Sequence, residues 1–219
     1  MSTAEVSSYP EHAQYTEIRT VEELRELIKV PDAPAAGKVR STLHEYDRAW
    51  LARSPLCVMA TADGNGWCDA SPKGDPAGFV KILDDTTIAI PERPGNRRAD
   101  GYLNILQNPR VGLLFVIPGR SDTLRLNGRA KLVKDAPFFE DMLVKGHRPT
   151  LAVIVEIEEV FFHCAKSFLR SATWKPETWE PESVPSTAQI AKATTRKHQA
   201  IEEIEAHYGA IYGEKLYEG

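Results

Sequence analysis

IPERPGNRRADGYLNILQNPRVGLLF, residues 90–115, places a basic turn containing glycine ahead of a helix and follows the helix with a run suited to a buried strand. The spacing predicts a helix that starts at Asn96, an N-cap residue type. It carries Ala99, Leu103 and Leu106 along one face and stops before Pro109. Arg97 and Arg98 then stand in the first helical turn, where a cation opposes the helix dipole at a cost of a few tenths of a kcal/mol. A bound anion reverses that sign. Unbonded backbone N–H groups, a flexible Gly95 and the guanidinium groups of Arg93, Arg97 and Arg98 together suit a dianionic phosphate monoester.

Working outward, the period on either side is that of short strands. Leu56 to Thr61, Gly66 to Ser71, Gly78 to Leu83 and Thr86 to Ile90 precede the turn, with Asp63-Gly64-Asn65-Gly66 and Asp84-Asp85 as tight connections. Val111 to Ile117 follows as a nearly continuous apolar strand. Leu124, Leu126, Gly128, Ala130 and Leu132 then alternate with Arg125, Asn127, Arg129 and Lys131. A short helix around Phe138 to Lys145 leads to the longest β-rich run, Leu151 to Phe162. The fold class expected is mainly β with flanking helices, a small antiparallel barrel.

The ends of the chain read differently. After a flexible lead-in over Met1 to about Thr16, Thr20 and Glu23 form a capping box for a first helix, and Ser41 is placed to cap a second that aligns Leu43, Tyr46, Trp50 and Leu51. Ser186 and Gln189 form another capping box, ahead of a long amphipathic helix striped with Ile201, Ile204, Tyr208 and Ile211. The organisation expected is an extension over 1–54, a barrel domain over 55–180 and a C-terminal helix over 181–219.

Bulk properties limit the function. The 219 residues are 42% hydrophobic and carry a net charge of -4, with a pI near 5.9. That balance argues against holding nucleic acid by an overall field, so an anion site must be local. No stretch reaches the ~18 apolar residues of a membrane helix, and a cytoplasmic location is expected. Cys57, Cys68 and Cys164 have no zinc-ligand spacing and are expected to be reduced and mostly buried, with no metal site. The GxSxG, Walker, HExxH and GxGxxG patterns are absent, which removes the usual hydrolase, P-loop and Rossmann assignments.

Four constellations remain. Ser71-Pro72-Lys73-Gly74-Asp75-Pro76 reads as a rigid turn between strands, able to bring backbone close to a flat ligand. The second is the basic turn already described. Arg125, in Thr123 to Asn127, faces either a cleft or water. In HCAKSFLRSATW, residues 163–174, Lys166 and Arg170 lie four apart if helical and Trp174 one turn further, a basic face beside an aromatic ring.

Taken in order, SPKGDP (71–76), IPERPGNRR (90–98), NPRVGLLF (108–115), TLRLNGRA (123–130) and HCAKSFLRSATW (163–174) resemble the pyridoxamine 5'-phosphate oxidase-related family of flavin-binding proteins, over roughly residues 40–180. The resemblance implies a split β-barrel homodimer with flavin mononucleotide (FMN) at the subunit interface. It assigns Pro91, Arg93, Asn96, Arg97 and Arg98 to the phosphate, and Ser71, Pro72, Lys73, Gly74 and Asp75 to the strand edge beside the isoalloxazine ring. Arg125 matches a polar position of the strand after the buried one, and Arg170, Ser171 and Trp174 match a segment that approaches the partner's flavin. The implied activity is that of an FMN-dependent oxidoreductase acting on a small-molecule redox substrate, with no catalytic side chain designated. The family's vitamin B6 enzymes carry an Arg-Leu-x-Pro style segment near the C-terminus, which this chain replaces with its long helix, so B6 oxidation is not expected. A non-catalytic flavin-binding or storage protein remains open, as does a related barrel using haem, with His163 as axial ligand, or a deazaflavin.

Overall fold

In the computed structural model, which describes residues 15–209, 213, 216 and 217, the chain divides into a unit ending at Lys38 and a second beginning at Val39. Nearly all of the expected lead-in, and Ile211 of the C-terminal stripe, lie outside the described residues. The first unit holds α1 (Val21–Leu27) and α2 (Ala33–Ala36). The Thr20 hydroxyl accepts from the Glu23 N–H and the Glu23 carboxylate accepts from the Thr20 N–H, so the expected capping box is present. No side chain of α1 is buried.

The second unit opens with α3 (Glu45–Leu51). Its cap is His44 instead of Ser41: the His44 ring accepts from the Tyr46 N–H, and the Asp47 carboxylate accepts from the His44 N–H. Asp47 is fully buried and also pairs with Arg40. Leu43, Trp50 and Leu51 pack into the core while Tyr46 stays exposed.

Seven strands follow: β1 (Leu56–Ala62), β2 (Cys68–Gly74), β3 (Lys81–Ile82), β4 (Thr87–Pro91), β5 (Arg110–Val116), β6 (Thr123–Val133) and β7 (Ala152–His163). They form one antiparallel sheet in the order β2-β1-β5-β6-β7-β4-β3, whose ends do not pair among the described residues. The sheet curls around a core of alternate side chains that includes Met59, Leu113, Phe115, Leu124, Leu126, Val155 and Val160. Each such residue, fully buried, contributes roughly 1.5–3 kcal/mol. This is a split, incompletely closed β-barrel with flanking helices, the fold class expected.

Two features of the sheet departed from the sequence reading. Ser71 to Gly74 is no turn but the end of β2, with Pro72 opposite Val58 and Lys73 opposite Cys57. An edge strand can carry proline because one side of its ladder has no partner. A bulge also interrupts β6 and β7, where Asn127 faces Glu159 but Gly128 faces Ile157, leaving Glu158 as the extra residue. A Cβ on Gly128 would lie 2.1 Å from the Glu156 carbonyl oxygen, so only glycine fits this crossing.

Between β4 and β5 runs α4 (Asp100–Gln107); a 3-10 turn spans Pro137–Met142 in place of the expected short helix. Beyond β7 come α5 (Lys166–Arg170), which carries Lys166 and Arg170 as expected, then α6 (Thr187–Thr194) and α7 (Ile201–His207). The Ser186–Gln189 capping box starts α6 as read, but the one long helix expected is broken in two, and Ile201 and Ile204 of the stripe lie on α7 with Tyr208 as its C-cap. Ala188, Ala191 and Ile204 form their own small core between them. Of the cysteines only Cys57 is buried; Cys68 sits on the edge strand and Cys164 just beyond β7, both exposed, which corrects the expectation of mostly buried thiols.

Candidate functional site

A cleft of about 720 Å³ opens where the edge strand β2, the Pro91–Ala99 loop and the first turn of α4 meet. Ser71, Pro72, Lys73 and Gly74 line one wall, and Pro91, Arg93, Asn96, Arg97 and Arg98 the other. The remaining wall includes Phe79, Thr150 and Leu151. Two of the constellations read from the sequence are therefore brought together at one place.

The loop differs in detail from the helix expected there. The Asn96 side chain accepts from the Arg98 N–H at 3.0 Å, closing a local turn, so Asn96 caps that turn and not the helix. Arg97 (φ 60°) and Ala99 (φ 58°) take left-handed backbone conformations, and α4 starts only at Asp100, with Ala99 as its N-cap. Arg97 and Arg98 consequently precede the first helical turn, and the dipole conflict inferred from sequence does not arise in that form. Asp100 occupies that turn instead, where its charge suits the dipole, and it pairs with Arg98 at 2.7 Å. This pairing holds the Asp100 carboxyl below, and the Arg98 guanidinium above, their ordinary ranges.

The buried face of α4 also differs. Gly101, Tyr102 and Ile105 face inward, whereas Leu103 and Leu106 are 53% and 71% exposed. A Cβ at Gly101 would come within 3.2 Å of Met59 and 3.3 Å of the Asp69 carboxylate, so the start of α4 sits tightly on β1 and β2. Asp69 in turn accepts from the Ser71 hydroxyl at 3.0 Å.

The cations of the cleft have unequal commitments. Arg93 donates to the fully buried Asp75 carboxylate at 2.6 Å, and also to the carbonyls of Met142 (2.6 Å) and His147 (3.3 Å). Asp75 takes a further hydrogen bond from the Tyr217 hydroxyl, whose pKa this contact raises. Asp75 thus lies behind the cleft wall as the anchor of Arg93. Lys73 donates to the Tyr102 hydroxyl at 2.8 Å, with its ammonium 4.4 Å from the ring centre and 3.7 Å from the Glu92 carboxylate. Tyr102 donates onward to Glu92. Burial raises the Glu92 carboxyl, an effect that Lys73 partly offsets. Arg97 has neither an ion pair nor a hydrogen bond among the described residues, and its side chain is exposed at the cleft.

The other expected residues lie elsewhere in the chain. Arg125 stacks 5.1 Å over Phe161 and lines a separate cavity of about 390 Å³ with Val58, Ala60, Leu114, His163 and Phe168. Trp174 stacks on Phe168 at 5.7 Å and donates to the Arg120 carbonyl, while the Ser171 hydroxyl bonds that of Thr173 and Arg170 is exposed. Sequence reading passed over Asp69, Glu92 and Tyr102. Glu92 stands in the quoted segment among the basic residues that drew the reading, and Tyr102 lies off the helix face expected to be buried.

The profile of the pyridoxamine 5'-phosphate oxidase family matches residues 43–164, which takes in β1 to β7 and the whole cleft. No curated protein matches the chain. Among solved structures, the chain is similar to a Lactobacillus delbrueckii protein provisionally described as a pyridoxamine 5'-phosphate oxidase (25% identity, 57% of this chain and 98% of that one, TM-score 0.45). It is also similar to HupZ of Group A Streptococcus (20% identity, 55% and 93%, TM-score 0.45) and to HutZ, the haem storage protein of Vibrio cholerae (13% identity, 55% and 93%, TM-score 0.38). No helix among the described residues is long and apolar enough to cross a membrane. With more than half its length matched, and with the split barrel in place, the chain belongs to the pyridoxamine 5'-phosphate oxidase family.

Proposed function

We propose that the protein is an FMN-dependent oxidoreductase of the pyridoxamine 5'-phosphate oxidase-like class that binds the cofactor in the β2–α4 cleft and acts on a small-molecule redox substrate. The observation that carries this reading is the uncommitted Arg97 guanidinium at the mouth of a cleft whose far wall is a flat strand edge. The cleft volume falls within the ~300–1,000 Å³ usual for ligand sites. The donor set fits a phosphate monoester. Arg97 is available outright, and Arg98 shares an exposed carboxylate that a dianion can displace. The first-turn N–H groups of Asp100 and Gly101 have no partner within the helix.

Arg93 plays a different part from the one the resemblance implied. Its guanidinium is spent on Asp75 and two carbonyls, so it shapes the phosphate loop from behind. Lys73 and the backbone of Ser71 to Gly74 would face the ring. Bound FMN would supply hydride acceptance, with the protein contributing position and field. On this reading residues 55–180 carry the cofactor, flanked by the 1–54 extension and the 181–219 helical segment.

A homodimer with the flavin between subunits belongs to the same proposal, and the solvent-facing Leu103 and Leu106 beside the cleft support it. Light scattering should give twice the chain mass. The decisive experiment is the visible spectrum of the purified protein, followed by titration with FMN and riboflavin. Flavin absorption is expected, and Arg97→Ala should weaken FMN by about 1.5–3 kcal/mol with little effect on riboflavin. A colourless protein that takes up neither ligand would sink the proposal. Flavin that binds but is never reduced by nicotinamide donors would point to storage.

A further inference from the structure

Three parts of the chain contribute one side chain each to a connected group on the cleft wall: Lys73 from β2, Glu92 from just beyond β4, and Tyr102 from α4. Lys73 donates to the Tyr102 hydroxyl at 2.8 Å, Tyr102 donates to Glu92, and the ammonium lies 3.7 Å from the carboxylate. The Lys73 and Glu92 side chains are only 18% and 24% exposed, so this is no surface ion pair. The ammonium also lies over the Tyr102 ring, a second contact that restricts the flexible lysine stem. An ammonium has three N–H donors. With one on Tyr102 and Glu92 3.7 Å away, the ammonium keeps donor capacity for the cleft that Lys73 lines.

We propose that Tyr102 and Glu92 are positioning residues that fix the Lys73 ammonium as the point charge facing an electron-rich edge of the bound heteroaromatic ring, with Glu92 setting how much of that charge the ring feels. The inference rests on the reading that the cleft holds a flavin. Other charged groups on the cleft are Asp69 on β2, Arg93 (held by Asp75), Arg97 and Arg98 on the loop, and Asp100 on α4. Arg98 and Asp100 pair with each other, and Asp69 is engaged by Ser71, so none of these competes for Lys73 in the structure.

The arrangement predicts effects of opposite sign. Reduction adds electron density to the ring, which Lys73 favours and Glu92 disfavours. The quantity to measure is the ratio of dissociation constants for reduced over oxidised FMN, obtained from anaerobic titrations of the full-length protein. Lys73→Met should raise the ratio about tenfold, the loss expected for one charge-assisted contact. Glu92→Gln, which keeps the shape and removes the charge, should lower it. Tyr102→Phe should raise it by a smaller factor, because the ammonium is then no longer held. A purely structural role would shift both constants together and leave the ratio unchanged.

If Tyr102→Phe does not fold, Glu92→Gln still decides the matter. A Glu92→Gln ratio that rises, or stays at the wild-type value, overturns the inference while the flavin remains in its cleft. Wild-type protein that binds no FMN in either redox state overturns the flavin reading and this inference together.

Discussion

The β6–β7 crossing and the Pro91–Asp100 loop are both irregular backbone, yet they are held by different forces. At the crossing, Gly128 lies so close to the Glu156 carbonyl that backbone alone fixes the geometry, deep in the sheet. In the loop, two residues other than glycine adopt left-handed conformations, each costing about 1–2 kcal/mol. Side chains offset that cost: the Asn96 turn, the Arg98–Asp100 pair and the buried Asp75 that anchors Arg93. The crossing belongs to folding and is complete without a ligand. The loop is shaped by charge, which is what a site for a charged ligand requires.

Four measurements sharpen or break that contrast. The largest effect is expected at the crossing, where Gly128→Val should cost on the order of 4 kcal/mol or prevent folding altogether. A denaturant midpoint equal to that of the parent would remove the close approach from the account. Next comes Arg93→Ala, which leaves the Asp75 carboxylate buried without its cation and should destabilise the fold by about 3 kcal/mol. Were Arg93 chiefly a phosphate ligand, the apoprotein would hardly notice the change.

The third measurement returns to the sheet. Burial pushes the Cys57 thiol up to about 12 from an ordinary value of 9.0. The unfolded thiol therefore ionises first as pH rises, and the folded state, which keeps its proton, falls behind. Stability is intact below pH 9.0 and should drop between there and about 12 by up to about 1.4 kcal/mol per pH unit from this group. Comparison with Cys57→Ala cancels the other alkaline titrations, and parallel pH profiles would contradict the assignment. Smallest is Arg97→Gly, which relieves a left-handed residue and should stabilise the apoprotein by roughly 1 kcal/mol while weakening FMN. Loss of stability there would mean that the Arg97 side chain holds the loop together.

The sheet was legible because alternation is a local signal. Leu124, Leu126 and Ala130 pointed inward as read, and the run Val111 to Phe115 became a central strand. The bulge escaped because β7 switches phase at Glu158, which shows only when the strand is set against its partner. The cleft was found through its basic residues, and its internal division of labour was not. Arg93 and Arg97 look alike in sequence, and what separates them is Asp75, 18 residues away in the chain. The α4 start was misplaced because Asn96 suits a helix cap and an isolated turn equally well. Tyr102 was missed for a related reason: with the start shifted, the inward face rotated toward Tyr102 and Ile105.

Proline at position 72 has a consequence outside binding. β2 is one end of the sheet, and an exposed strand edge invites the edge of another molecule to extend it. Pro72 has no N–H to offer and Lys73 beside it carries a charge, so an incoming strand meets an interrupted ladder and a cation. The strand edge proposed to face the flavin is thereby also a part of the chain that guards it against aggregation.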